Sequence, residues 1–226
     1  MTTSTFNSKL WKEIFEQPTA IQQSLAINRP IIAEIAAKVR ERKLKNVVLI
    51  GRGSSDHANI LARYLFEIHT NMIATICAPS VITAYSGKVD YSDSLVIGVS
   101  QSGGARDVYE VMKYAKQQGA LTVSITNVRG SLMTTVGDYH LNNECGPETS
   151  VTAAKSYMTQ ITLLSCFVAE ISQDPNLLAQ MDQLSDIVKD ALTLVPQVES
   201  LVPYVRNCDK VLLFGRGLLH ALTLET

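Results

Sequence analysis

The hydrophobic rhythm of the chain changes once, near residue 45. Before that point apolar residues recur three and four positions apart. Leu10, Trp11, Ile14 and Phe15 open the pattern, AIQQSLAI continues it, and IIAEIAAKVRER closes it. This spacing places the apolar side chains on one face of a helix. Pro18 and Pro30 separate the three runs. A proline inside a helix removes a donor and crowds the preceding turn, so the pattern predicts three helices. From Asn46 the apolar residues come as short unbroken runs: NVVLIG, MIATICA, SLVIGVS and ALTVSIT, followed by the weaker DYHLNN. The first four carry no charge, which marks strands covered on both faces. Between the runs lie the helical patterns SSDHANILARYLFEIHT and ARDVYEVMKYAKQQG, with shorter ones in PSVITAYSG and SLMTTVG. A long helix is expected from Pro147 to about Ile171, and more helix over 175–205. Strands alternating with helices predict an α/β fold, a three-layer α/β/α sandwich on five parallel strands.

One pattern occurs twice. KNVVLIGRGSSDHA at 45–58 aligns with DKVLLFGRGLLHAL at 209–222, so that Gly51-Arg52-Gly53 meets Gly215-Arg216-Gly217 after 164 residues. A buried strand, a glycine turn and a helix start, repeated in register, predict two copies of one domain. The organisation expected is a helical segment over 1–44, a first domain over 45–173, a helical connection over 174–206 and the start of a second domain over 207–226. On this reading the protein continues beyond Thr226.

Composition narrows the classes. Apolar residues make up 46% and charged residues 18% of 226, with a formal net charge of −1. That is a globular balance, and it offers no basic field for nucleic acid or anionic lipid. No apolar run reaches the ~20 residues that span a bilayer. The N-terminal stretch MTTSTFNSKLWKEIF has no signal-peptide core,. Cys77, Cys145, Cys166 and Cys208 are scattered without a CxxC pair, so neither a zinc site nor a disulfide framework is indicated. The expectation is a cytoplasmic protein with no metal, no cofactor, no nucleic acid and no membrane partner.

Candidate chemistry lies in the loops that leave the strands. Gly51-Arg52-Gly53-Ser54-Ser55 combines glycines, which admit close backbone approach, with serines at a helix start. Ser100-Gln101-Ser102-Gly103-Gly104 offers three polar side chains and two glycines ahead of the helix at Ala105. Such loops either cap their helices or cradle an anion, for which phosphate is the natural candidate. Familiar nucleotide loops are absent. GRGSSD has Asp56 where a dinucleotide loop needs its third glycine, and neither G-x-x-x-x-G-K-[ST] nor G-x-S-x-G occurs,. In CGPETSVTAAKSYMTQ, Glu148 and Lys155 stand seven apart and would share a face of the expected helix, where a solvated face is the plainer reading. His57 opens a helix behind a binding loop, a place where a lone histidine is usually structural.

Together WKEIFEQPTAI (11–21), GRGSSDHA (51–58), VSQSGGARD (99–107), ITNVRGSL (125–132), PETSVTAAKSYMTQ (147–160) and FGRG (214–217) resemble the sugar isomerase (SIS) domain family. They are most similar to the isomerase half of glutamine–fructose-6-phosphate aminotransferase and to its stand-alone relatives. The resemblance implies tandem flavodoxin-like domains, a homodimer, and a phosphorylated sugar or aminosugar held by the first domain. Ser100, Gln101 and Ser102 match the family's phosphate-binding Ser-Gln-Ser. Ser54 and Ser55 match its Thr-Ser or Ser-Ser pair. Gly53 and Gly103 belong to the same loops, and Val151 and Lys155 match a ligand-side loop and the lysine after it. The chain departs from the aminotransferase pattern at Gly104 and Ala105, where a phosphate-touching threonine is lost, and at Ala153, where those enzymes have serine. The implied activity is aldose–ketose isomerisation or deamination of an aminosugar phosphate. A fructosamine-6-phosphate deglycase and a non-catalytic or regulatory phosphosugar-binding module are the alternatives. The family's catalytic Glu, Lys and His follow a helix of which only LTLET is present, so the catalytic groups are expected beyond residue 226, with Glu225 matching the first Glu.

Overall fold

The structure, a computed structural model, describes residues 8–226. Its first element corrects the three-helix expectation. Helix α1 runs unbroken over Lys9–Glu41 with Pro18 and Pro30 inside it, and Ser8 caps it by accepting from the Trp11 N–H at 3.1 Å. An internal proline costs roughly 3 kcal/mol. Ile21, Ser24, Asn28, Ile32, Ile35 and Val39 are all buried, in one stripe that keeps its helical phase past Pro30. The stripe packs on the later helices α5 (Lys155–Ser172) and α6 (Pro175–Leu192). Each buried aliphatic in it contributes about 1.5–3 kcal/mol, so continuous packing outweighs the local preference to break.

The five strands follow the uncharged runs: β1 Asn46–Ile50, β2 Ile73–Ile76, β3 Ser94–Val99, β4 Leu121–Thr126 and β5 Tyr139–Asn142. All pair in parallel, in the order β2-β1-β3-β4-β5. Alternate residues divide between two cores, as a period of two requires. Val47, Leu49, Leu95 and Ile97 face α1, α5 and helix α2 (Ser54–His69). Val48, Ile50 and Val96 face helix α4 (Arg106–Gln117) and the 3₁₀ turn Leu132–Thr135. A short helix, α3 (Ser80–Thr83), follows β2 and packs beside α4. The result is the expected three-layer sandwich. Its strand order reverses direction at β1 and β3, and the loops leaving those two strands open a crevice there.

Two further expectations change. The helix predicted from Pro147 begins only at Lys155, and 147–154 is an irregular loop. Its N–H groups bond to side chains instead of building a first turn: Thr149 and Ser150 donate to Glu13, and Ala154 donates to Glu148. Glu148 and Lys155 therefore do not share a helical face. Secondly, Val211–Phe214 forms no strand, because no neighbouring strand offers it a ladder. After α7 (Val195–Val205), the chain reaches helix α8 (Leu218–Glu225), which packs on α2. The two GRG turns have the same backbone shape. Gly53 lies at φ 55°, ψ −133° and Gly217 at φ 62°, ψ −136°, each as the cap of the helix that follows.

Candidate functional site

The crevice at the strand reversal holds a cleft of about 320 Å³, within the range of small-molecule sites,. Its floor and one wall come from the two loops. Ser54 and Ser55 begin α2, with the Ser55 N–H bonded to the Arg52 carbonyl at 3.2 Å. Ser100, Gln101 and Ser102 follow β3 and precede α4. Two helix N-termini thus point into one space, where their dipoles favour an anion.

The second loop is held in shape from below. The Gly103 N–H donates to the Ser100 carbonyl and hydroxyl, both at 3.2 Å. The Gln101 carbonyl accepts from Asn127 N–H at 2.9 Å, and the Gly103 carbonyl accepts from Met133 N–H at 3.0 Å. Gly103 takes φ +64°, a left-handed conformation that L side chains rarely adopt,.

Arg52 brings a cation to the cleft, which the loop argument from sequence did not use. Its guanidinium pairs with Asp107 in the first turn of α4, the Nε reaching Oδ2 at 2.7 Å. The opposite wall comes from the 148–154 loop and the start of α5: Glu148, Ser150, Val151, Ala153, Ser156 and Gln160. Glu148 accepts from the N–H groups of Ala154 and Ser156 and from the Ser156 hydroxyl, so its carboxylate caps α5. Gln160 is buried, and its Oε1 has no partner among the described residues.

Of the residues singled out in the sequence, Ser54, Ser55, Ser100, Gln101, Ser102 and Val151 line this cleft; Gly53, Gly103 and Lys155 do not. The glycines shape the turns. Lys155 is buried and turns the other way, donating to Glu16 at 2.6 Å and to the Pro147 carbonyl at 2.9 Å. Glu225 is also outside the cleft. Its Oε2 lies 2.7 Å from His57 Nδ1, which joins α8 to α2. Among the described residues, no three His, Cys, Asp or Glu side chains come together as metal donors, and no helix is long and apolar enough to cross a membrane. The four cysteines are free, and burial pushes the Cys145 thiol up to about 11 and the Cys166 thiol up to about 12.

The profile of the SIS domain matches residues 42–170, more than half of the chain and the whole of the sheet. The chain belongs to the SIS domain family. Among its relatives, glutamine–fructose-6-phosphate aminotransferase from Aquifex aeolicus is 30% identical over 97% of this chain and 37% of its own length. The enzyme of the same name from Thermococcus kodakarensis is 32% identical over 84% of this chain and 31% of its own. This SIS protein therefore spans about a third of the relatives it matches. In fold it is similar to the C-terminal domain of glucosamine-fructose-6-phosphate aminotransferase from Francisella tularensis, with a TM-score of 0.79 and 23% identity, over all of this chain and 67% of that one.

Proposed function

We propose that the cleft of this SIS domain binds a phosphorylated sugar or aminosugar, as part of an isomerase or deaminase acting on aminosugar phosphates. One observation carries the reading. Ser54, Ser55, Ser100, Gln101 and Ser102 converge with Arg52 on one cleft between two helix N-termini. That set supplies hydroxyl and amide donors, dipoles and a cation, which together suit a phosphate dianion. The opposite wall supports a hydroxylated ligand. Gln160 presents a buried acceptor without a partner, and leaving such a group unbonded costs about 1–3 kcal/mol,. The relatives' substrate, fructose 6-phosphate by name, joins the same two chemical features.

A binding half without its own catalytic groups is the second reading, and Glu148 favours it. Among the described residues this is the one carboxylate on the cleft wall, and both its oxygens already accept hydrogen bonds from Ser156 at the start of α5. The matching GRG turns, with φ and ψ within 7° of each other at Gly53 and Gly217, support reading 207–226 as the start of a second SIS copy that supplies the chemistry.

Calorimetry with fructose 6-phosphate and glucosamine 6-phosphate tests binding. Changing Ser100 and Ser102 together to alanine removes two hydroxyls, each worth roughly 1.5–3 kcal/mol when bonded to a charged group. Affinity is expected to fall at least about a hundredfold. An unchanged affinity would refute the assignment of the loop. Turnover of either sugar phosphate by this chain alone would refute the catalytically incomplete reading.

A further inference from the structure

The motif KEIFEQP at 12–18 belongs to α1, outside the sheet, and the phosphate loops give it no task. Glu13, Glu16 and Gln17 lie three and four apart and so share a face of the helix. That face meets the 148–155 loop. Glu13 is 5% exposed. Its Oε1 accepts from the Thr149 N–H at 2.6 Å, the Thr149 hydroxyl at 3.3 Å and the Ser150 N–H at 3.3 Å, and its Oε2 accepts from the Ser150 hydroxyl. Glu16 pairs with Lys155 at 2.6 Å, and the Gln17 amide donates to the Ala154 carbonyl at 3.4 Å.

The remaining bonds of the loop are internal, running among Pro147, Glu148, Ser150, Thr152, Ala154, Lys155 and Ser156. Val151 is fully exposed, so its side chain gives no apolar anchorage. Among the described residues, the polar attachments of this loop to the rest of the protein are those to α1. A carboxylate this buried persists because four donors and the nearby Lys155 charge compensate its desolvation,.

We propose that Glu13, seconded by Glu16 and Gln17, is the positioning residue for the sugar-facing wall of the cleft. The two walls differ in their main supports. The phosphate side hangs on β3, on the Asn127 N–H at the β4 end and on the Met133 N–H in the 3₁₀ turn. The sugar side, with Glu148, Ser150, Val151 and Ala153 ahead of Ser156 in α5, hangs on α1, while the Asn127 side chain holds only its root at Cys145 and Gly146. This assignment rests on the phosphosugar reading of the cleft, and it predicts that one wall can be loosened without the other.

The test is Glu13→Gln in the full chain, titrated with fructose 6-phosphate and separately with inorganic phosphate, with amide hydrogen exchange measured on the unliganded protein. The amide keeps the volume but offers one acceptor in place of two. A misplacement of about 1 Å can cost about a hundredfold where geometry is exacting, and a bound sugar needs part of that exactness. Fructose 6-phosphate should therefore weaken about tenfold or more, inorganic phosphate should stay within about twofold, and exchange should rise at 149–156 but not at 100–105. Glu13→Asp, which keeps the carboxylate, should recover part of the loss; it also serves if Glu13→Gln does not fold. Equal weakening of both ligands, or unchanged exchange at 149–156, overturns the assignment. If the unaltered chain binds neither ligand, the phosphosugar reading fails instead. The exchange pattern then decides by itself whether α1 holds the loop.

Discussion

The phosphate-facing loop owes its shape to one glycine, and replacing it separates backbone strain from crowding. A Cβ at position 103 would lie 2.0 Å from Ser131 Oγ, 2.6 Å from Ser131 Cβ and 3.1 Å from Thr126 Cγ2, at a φ of +64°. The hydroxyl can rotate aside, but the Ser131 Cβ can move only with its backbone. The left-handed conformation alone costs a non-glycine residue roughly 1–2 kcal/mol. Forcing an extra methyl into a packed site costs about 1–3 kcal/mol more. Gly103→Ala should therefore lose about 2–5 kcal/mol, a large part of the ~5–15 kcal/mol that holds a domain folded. Two neighbours calibrate the figure. Gly130 has φ +71° and nothing within 4 Å of a Cβ, so Gly130→Ala should show the backbone cost of about 1–2 kcal/mol alone,. Gly104 has no positive φ, and its nearest contact is Ser102 Oγ at 3.6 Å. Gly104→Ala should then fall within about 0.5 kcal/mol of the parent. Urea unfolding with a constant slope reads all three. If Gly103→Ala unfolds with Gly130→Ala, the crowding argument fails. If it unfolds with Gly104→Ala, the strain argument fails as well. The loop would then be looser than the bonds from Asn127 and Met133 imply.

Arg52→Ala should weaken phosphosugar binding and flatten its dependence on salt, because it removes the cation on the cleft wall,. Stability should barely change, since an exposed pair such as Arg52–Asp107 is worth at most about 1 kcal/mol,. Titration at low and high salt, with a melting curve, checks both, and unaltered affinity at low salt would exclude Arg52 from the site. Asp138 supplies a pH prediction. Burial alone would raise its pKa, but the Thr122 N–H and hydroxyl and the Lys116 ammonium outweigh burial and hold it below the ordinary 3.8. A lowered folded pKa contributes stability above the unfolded value and loses it as pH falls through the folded one. Asp138→Asn should therefore melt below the parent at neutral pH, with the gap closing once pH drops below 3.8; a gap constant with pH would contradict this.

What was legible in the sequence was local. Uncharged runs such as VVLIG and SLVIGVS, set between helical patterns, mark strands buried on both faces, and the glycine–serine loops behind them mark where parallel strands end. Those two facts place Ser54, Ser55 and Ser100–Ser102 together, because the sheet order brings β1 and β3 side by side. Apart from the unformed strand at Val211–Phe214, the misreadings share one cause: the partner lies far along the chain. Pro18 and Pro30 looked like breaks because the stripe that keeps α1 continuous packs on α5 and α6, more than a hundred residues later. Glu148 and Lys155 looked like a helical pair because the donors that unwind that turn bond to Glu13. Lys155 looked like a ligand-side lysine, and Glu16 draws it away. Arg52 was visible as part of GRG, yet only its pairing with Asp107 across the crevice makes it a wall of the cleft.

Carboxylates are the hardest residues to read in this way. A glutamate in a polar helix turn has the same signature whether it faces water or four donors, since its burial depends on what another segment brings to it. KEIFEQP carried one cue that distinguishes the cases. Glu13 and Gln17 recur at the helical spacing of Leu10, Ile14 and Ile21, close to the buried stripe and not on the opposite side of the helix. Polar residues beside an apolar stripe imply a polar partner across the packed interface, because an unpaired buried charge is too costly to persist. By that rule Glu13 calls for a polar segment packed on α1, and the Thr149–Ser150 stretch supplies it.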